Sequence, residues 1–167
     1  MNRIYTKLSK LILIMTNLLV WHWNCNGIKS ELTEFKQLLT TKSSPNIICL
    51  QETHLKPNIN ISLDTTGYKI LRKDRLNEHK GGLITMIDPN IPHTEIDNST
   101  TLEHQITRIQ INNEMYHIIN IYDRNTNIDK EQHNLLLNYP NSILVGDYNA
   151  HHKLWGHQHL TKKVMTS

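Results

Sequence analysis

In the stretch ILVGDYNAHHKLWG, Ile143 to Gly156, an apolar run ends abruptly in Gly146-Asp147-Tyr148-Asn149. Side chains along an extended backbone alternate, so Asp147 and Asn149 point one way and Tyr148 the other. An acid and an amide on one side suit a phosphodiester: the acid orients or deprotonates water, and the amide donates to a non-bridging oxygen. The plainer alternative is an Asx-type turn closing a strand. Glu52 raises the same question at the end of the apolar run IICLQ. A carboxylate at such a tip must be solvated, paired or bound to a cation, because burying it bare is prohibitive. Taken alone it is an exposed acid or a helix-capping partner. With Asn24 after LLVWHW and Asp147 after ILVG, the set points to Mg²⁺, which takes one or two carboxylates and keeps several waters. Tyr122, closing IINIY, is either a core ring with a wet hydroxyl or a phenol that touches the scissile phosphate.

Other polar clusters are less specific. His151, His152, His157 and His159 match no structural zinc spacing and have no cysteine nearby, so they read as solvated loop histidines. The segment RKDRLNEHKGG, Arg72 to Gly82, reads as a solvated loop, with a phosphate-contacting loop as the alternative.

The elements that must position these groups follow from hydrophobic period and turn chemistry. NLLVWHWN is a strand; Ile28, Leu32, Phe35 and Leu39 form one apolar helix face over GIKSELTEFKQLLT. NIICLQET is a short buried strand, and YKILR, GGLITMI and HTEI are strand-like. LEHQITRIQINNEMYHIINIY reads as a hairpin about Asn112-Asn113, since asparagine tolerates positive φ. IDKEQHNLLLN is a second helix and SILVGDY a final buried strand. The order predicts a mixed α/β domain with helices covering sheet faces. Four strand ends each deliver polar groups, where sites in α/β sheets commonly gather.

Composition bounds the rest. A chain of 167 residues fits one domain with a real core, and 38% hydrophobic with 20% charged residues describes a globular protein. A net charge of +3 is compatible with nucleic acid without requiring it. Cys25 and Cys49 define no disulfide framework, and a reducing compartment is the simpler setting. MNRIYTKLSKLILIMTNLLV loosely mimics a signal peptide, but it lacks a small-x-small cleavage site and Thr16 and Asn17 interrupt it. It is also too short for a membrane span, so no membrane partner is expected. Residues 1–14 are read as a leader of unclear role, with Met15 as an alternative start, and 15–167 as the domain.

WNCNGI, LQETHL, RKDRLNEHKGGLITMI, LEHQITRIQI, IINIY and ILVGDYNAHHKLWG, in that order, resemble the endonuclease/exonuclease/phosphatase superfamily. The resemblance is nearest to the apurinic-type endonuclease domain of non-LTR retrotransposons and covers roughly residues 18 to 156. It implies a four-layer α/β sandwich, two mixed β-sheets flanked by helices. It also implies Mg²⁺-dependent phosphodiester hydrolysis, with Mn²⁺ a substitute, and nicking of target DNA in the nucleus to prime reverse transcription. The parent element would supply a reverse transcriptase domain. Carried to matching positions, Glu52 holds the metal with Asn24 beside it. Asp147 orients or activates water, Asn149 binds the phosphate and Tyr122 contacts it. Two departures stand out. The family loop after the tyrosine is often proline-rich, and here it reads Asp123-Arg124-Asn125. The family's later Ser-Asp-His segment is missing, so the expectation is a C-terminally truncated domain with weak or absent activity. Rival readings are another phosphodiesterase or phosphatase of the superfamily and a non-catalytic DNA-binding remnant. Oligomeric state is left open.

Overall fold

The computed structural model describes residues 9–13, 18–40, 44–63, 66–76, 80–97, 102–123 and 130–147. Among these, nine strands form two mixed sheets. The first contains β1 (Ser9–Leu13), β2 (Leu18–Asn24), β3 (Ile47–Gln51), β4 (Lys69–Lys73) and β5 (Leu83–Ile87), in the order β1-β2-β3-β5-β4. The second contains β6 (His93–Ile96), β7 (Glu103–Ile111), β8 (Glu114–Tyr122) and β9 (Ser142–Asp147), in sequence order. Helix α1 (Ile28–Leu39) links the parallel pair β2 and β3, and α2 (Lys130–Leu137) lies between the parallel pair β8 and β9. The other pairings are antiparallel.

Alternation along the strands builds the layers. Trp21, Trp23, Ile48, Leu50, Ile84 and Met86 face outward and bury against Phe35, Leu38 and Leu39 of α1. The Trp23 and Phe35 rings lie 5.8 Å apart and tilted, a favourable aromatic geometry. Leu18, Val20, Ile47 and Cys49 face the other way and meet Ile109, Ile118, Ile143 and Val145 across the sheet–sheet interface. Beyond the second sheet, Leu136 of α2 covers Ile106, Ile119 and Ile121. The result is the helix–sheet–sheet–helix sandwich that the family resemblance implies. Among the described residues, no helix is long and apolar enough to cross a membrane.

Most elements fall where the periodicity placed them. Asn112 and Asn113 both take positive φ, 51° and 66°, in a two-residue hairpin loop between Ile111 and its partner Glu114. Ser9–Leu13, which lies in the stretch read as a leader, is instead a strand whose backbone pairs antiparallel with β2. The Arg72–Gly82 segment is more than a solvated loop. Arg72 pairs with Asp74 and donates to the carbonyls of Ile59 and Lys56, while Arg75 pairs with Glu103.

Two features yield measurable outcomes. Gly146 sits opposite Ile121 in the β8–β9 ladder, and a Cβ there would lie 1.9 Å from the Ile121 carbonyl oxygen. Gly146→Ala should therefore destabilise the domain by about 1–3 kcal/mol, the usual cost of overfilling a packed site, read from urea unfolding. Burial pushes the thiols of both Cys25 and Cys49 up to about 12. Neither should react with iodoacetamide at neutral pH in native protein, and both should react once urea unfolds it, as mass spectrometry would show.

Candidate active site

The inner faces of the two sheets change character along their length. At one end they are apolar. At the other, Asn24, Gln51, Thr85, Gln105, Asn120, Tyr122 and Asp147 occupy the continuing inward positions of β2, β3, β5, β7, β8 and β9. The polar end coincides with the C-terminal ends of both parallel pairs, β2/β3 and β8/β9, and the cluster forms there.

Asn24 is its hub. Its amide nitrogen donates to Glu52 Oε1 at 2.7 Å and to Asp147 Oδ2 at 2.7 Å. One amide thus joins a carboxylate from each sheet, using one N–H for each. Its carbonyl oxygen accepts from the backbone N–H of Asn26 at 3.1 Å, which fixes the ring of atoms against rotation. The Tyr122 hydroxyl hydrogen-bonds to Glu52, and His54 Nε2 lies 3.3 Å from Glu52 Oε2. Four of the five residues expected from sequence (Asn24, Glu52, Tyr122 and Asp147) therefore meet. Asn149, the loop histidines His151, His152, His157 and His159, and Arg124-Asn125 lie outside the described residues.

The backbone explains how Glu52 reaches this position. Glu52 has φ 52° and His54 φ 54°, in the left-handed region that side chains seldom adopt. The turn is clamped on both flanks. Cys25, Gly27 and Ile28 donate to the carbonyls of Gln51, Glu52 and Thr53 at 3.0, 2.8 and 3.2 Å. On the opposite side, Thr53 and His54 donate to Gly82 and Gly81 at 3.1 and 2.9 Å. Gly82 is required there: a Cβ would lie 2.6 Å from Thr53 Oγ1. Glu103 then fixes the glycine pair to the second sheet by accepting from Gly82 N at 2.6 Å and from Arg75. This is the role the charged Arg72–Gly82 segment plays around the site.

Sequence reasoning missed His54, the buried amides Gln51 and Asn120, and the buried Asp123, whose backbone N–H donates to the Asp147 carbonyl at 2.9 Å. His54 was visible within LQETHL as a residue near the acid, but nothing in the spacing indicated that the chain would turn it back onto Glu52.

Partial burial pushes the Glu52 carboxyl up, yet hydrogen bonds from Asn24, Tyr122 and His54, with the His54 charge, outweigh it. The carboxyl is held below the usual carboxylate value. Among the described residues, no group of three or more His, Cys, Asp or Glu side chains forms a metal cage. The two carboxylates offer oxygen donors and no thiolate, while the Asn24 amide orients them through its N–H groups and turns its oxygen to Asn26. That set fits a hard cation such as Mg²⁺, which demands few protein ligands, and does not fit structural zinc.

A depressed folded-state value means that Glu52 favours the folded state above the unfolded carboxylate pKa. That contribution is lost as pH falls through the folded value. The urea midpoint of the wild type should consequently fall more steeply on acidification than that of Glu52→Gln. Parallel acid limbs for the two proteins would contradict this.

With the geometry in place, similarity to known proteins is informative. The family model described as "Endonuclease/Exonuclease/phosphatase family" matches residues 21–163. A DNA-(apurinic or apyrimidinic site) endonuclease from Dictyostelium discoideum is 33% identical over 72 residues, covering 41% of this chain and 20% of the relative. An AP endonuclease from Archaeoglobus fulgidus shares the fold with a TM-score of 0.56 at 21% identity, over 79% of this chain and 57% of that one. The 3′ phosphatase NExo from Neisseria, bound to a product DNA hairpin, has a TM-score of 0.51 at 14% identity, over 78% and 57%. The chain thus spans about a fifth of the curated relative and just over half of these two structures. The matched model spans most of the chain and includes every residue of the carboxylate–amide cluster, and on that basis the protein belongs to the endonuclease/exonuclease/phosphatase family.

Proposed function

We propose that this chain is a metal-dependent phosphodiesterase domain that nicks DNA, the endonuclease of a non-LTR retrotransposon. The observation that carries the reading is the pair of carboxylates, one from each sheet, each 2.7 Å from the same Asn24 amide nitrogen. Two acids held that close concentrate negative charge at a cleft where strand ends converge, and such a site attracts a cation. Support for DNA as substrate comes from the apurinic endonuclease relative and from two structural neighbours. These are the Neisseria phosphatase bound to a product DNA hairpin and a D. rerio TDP2 complexed with single-strand DNA product. The retrotransposon assignment rests on the motif order ending in GDYNAHHKLWG. It carries with it a nuclear setting and a reverse transcriptase domain in the parent element.

Mg²⁺, or Mn²⁺ in its place, would be held by Glu52 with Asn24 beside it. Once bound it supplies charge neutralisation on the phosphate oxygens during in-line displacement. The chain's own groups do the rest. Asn24 holds the two acids at a fixed separation, because each receives one of its N–H groups. Tyr122 and His54 hold the Glu52 carboxylate in one orientation. The phenol would also contact the phosphate, as the resemblance implies. Asp147, held on Asn24 through Oδ2, would orient and deprotonate the attacking water. Asn149 would donate to a non-bridging oxygen, as the family resemblance implies.

The test is nicking of supercoiled plasmid by the full chain with Mg²⁺, beside EDTA and Glu52→Ala, and a parallel duplex carrying one abasic site. Nicking of undamaged plasmid should require Mg²⁺ and fall by at least about 10²-fold in the variant, since even outer-shell changes at metal sites cost up to that. Cleavage confined to the abasic duplex would transfer the reading to apurinic-site repair. Folded protein that cleaves neither substrate would overturn it.

A further inference from the structure

We propose that Asn120 is a positioning residue for this site: its amide link to Gln51 sets the tip of β3 against the tip of β8. The purpose of that alignment rests on the functional reading above; the alignment itself does not. Asn120 and Gln51 are both fully buried polar side chains on the facing surfaces of the two sheets. Asn120 Oδ1 accepts from Gln51 Nε2 at 2.8 Å. Its amide nitrogen reaches across the interface to the Ile84 carbonyl at 3.0 Å, the Leu50 carbonyl at 3.3 Å and Thr85 Oγ1 at 3.3 Å. A single side chain of the second sheet is therefore tied to two strands of the first. Thr85 passes the link back to Gln105 at 2.7 Å, opposite Asn120 on β7.

The position of this link gives it a consequence. Gln51 immediately precedes Glu52, and Asn120 lies two residues before Tyr122 on the same face of β8. Away from this polar end the interface is apolar, with Leu18, Val20, Ile47 and Cys49 against Ile109, Ile118, Ile143 and Val145, and such attraction is non-directional and tolerates a small slide of one sheet over the other. Hydrogen bonds do not tolerate it, because they weaken steeply with distance and angle. The ties from Gly82 and Arg75 to Glu103 and from Lys73 to the His104 carbonyl also cross between the sheets but are only part-buried, whereas the Asn120–Gln51 link is fully buried. The buried amide link thus adds a directional constraint that holds the apolar contact at one offset beside the site. Tyr122 meets Glu52, and Asp147 meets Asn24, only at that offset. Displacements of about 1 Å at a reacting centre can cost on the order of 10²-fold in rate, so the offset matters to chemistry far more than to folding.

A double-mutant cycle in the unfolding equilibrium of the full chain tests this without metal or substrate. Tyr122→Phe removes the hydroxyl from Glu52 and should lower the folding constant about tenfold in the wild-type background, as for a hydrogen bond to a charged group. In Asn120→Leu, or in Gln51→Leu should that variant fail to fold, Tyr122→Phe should cost almost nothing. Additive effects would overturn the proposal. A second readout is Mn²⁺ binding followed by electron paramagnetic resonance. Asn120→Leu should weaken it about tenfold, as an outer-shell loss does, and Ile118→Val on the same face should leave it unchanged. Unaltered Mn²⁺ affinity in folded Asn120→Leu would also overturn the proposal. Wild-type protein that binds no Mn²⁺ would instead sink the metal reading, and the cycle would still decide the role of Asn120.

Discussion

Two carboxylates from different sheets come within hydrogen-bond distance of one amide, and much of the fold is arranged to make that contact possible. Without Asn24, Glu52 and Asp147 would lose the donor they share, and their repulsion would push them apart. The amide supplies both N–H groups to the acids and turns its oxygen to the backbone of Asn26. Its own placement depends on β2, which lies between β1 and β3 in the sheet and is anchored by Trp21 and Trp23 beneath α1. Moving the strand end would require repacking the largest side chains in the core.

The turn at Glu52 shows how that rigidity is used. A left-handed conformation at a glutamate costs on the order of 1–3 kcal/mol and persists only where its surroundings over-determine it. Here they do: five backbone hydrogen bonds to residues 51–54 come from the α1 entry on one side and the glycine pair on the other. Glycine at 81 and 82 lets the second flank approach closely, and the Arg75–Glu103 pair ties that flank to the opposite sheet. The strained residue is the one that carries the carboxylate, as expected where geometry serves chemistry before stability.

Much of this was legible in the residues. The apolar runs LLVWHW and IINI read as strands, and Ile28, Leu32, Phe35 and Leu39 read as one helix face. Polar residues at four strand ends indicated a common location. Other parts were not legible, for physical reasons. Gln51 and Asn120 occupy inward positions where an apolar residue is the norm, and a buried amide looks the same in sequence as an exposed one. Whether it is satisfied depends on a sheet more than sixty positions away. His54 follows a positive φ that no local pattern foretold at Glu52. Ser9–Leu13 is apolar beside basic residues, and only its pairing with β2 distinguishes a strand from a leader. For Asp147, strand alternation indicates the side of the strand but not the partner across the cleft.

The two parallel pairs have a consequence for the order in which the molecule is built. β2, α1 and β3 bring Asn24 and Glu52 together across 28 positions, a short-range closure within one sheet. Joining Asn24 to Asp147 spans 123 positions and must await β9, the last described element. Loop-closure entropy is spent before such distant contacts return anything, so the half-cluster of the first sheet is available to form well before the second sheet docks on it. On a ribosome, Asn24 and Glu52 emerge while the residues of β8 and β9 are still untranslated. The carboxylate–amide hub is thus also a record of assembly: its first half is set early and locally, and its completion coincides with the closing of the sandwich.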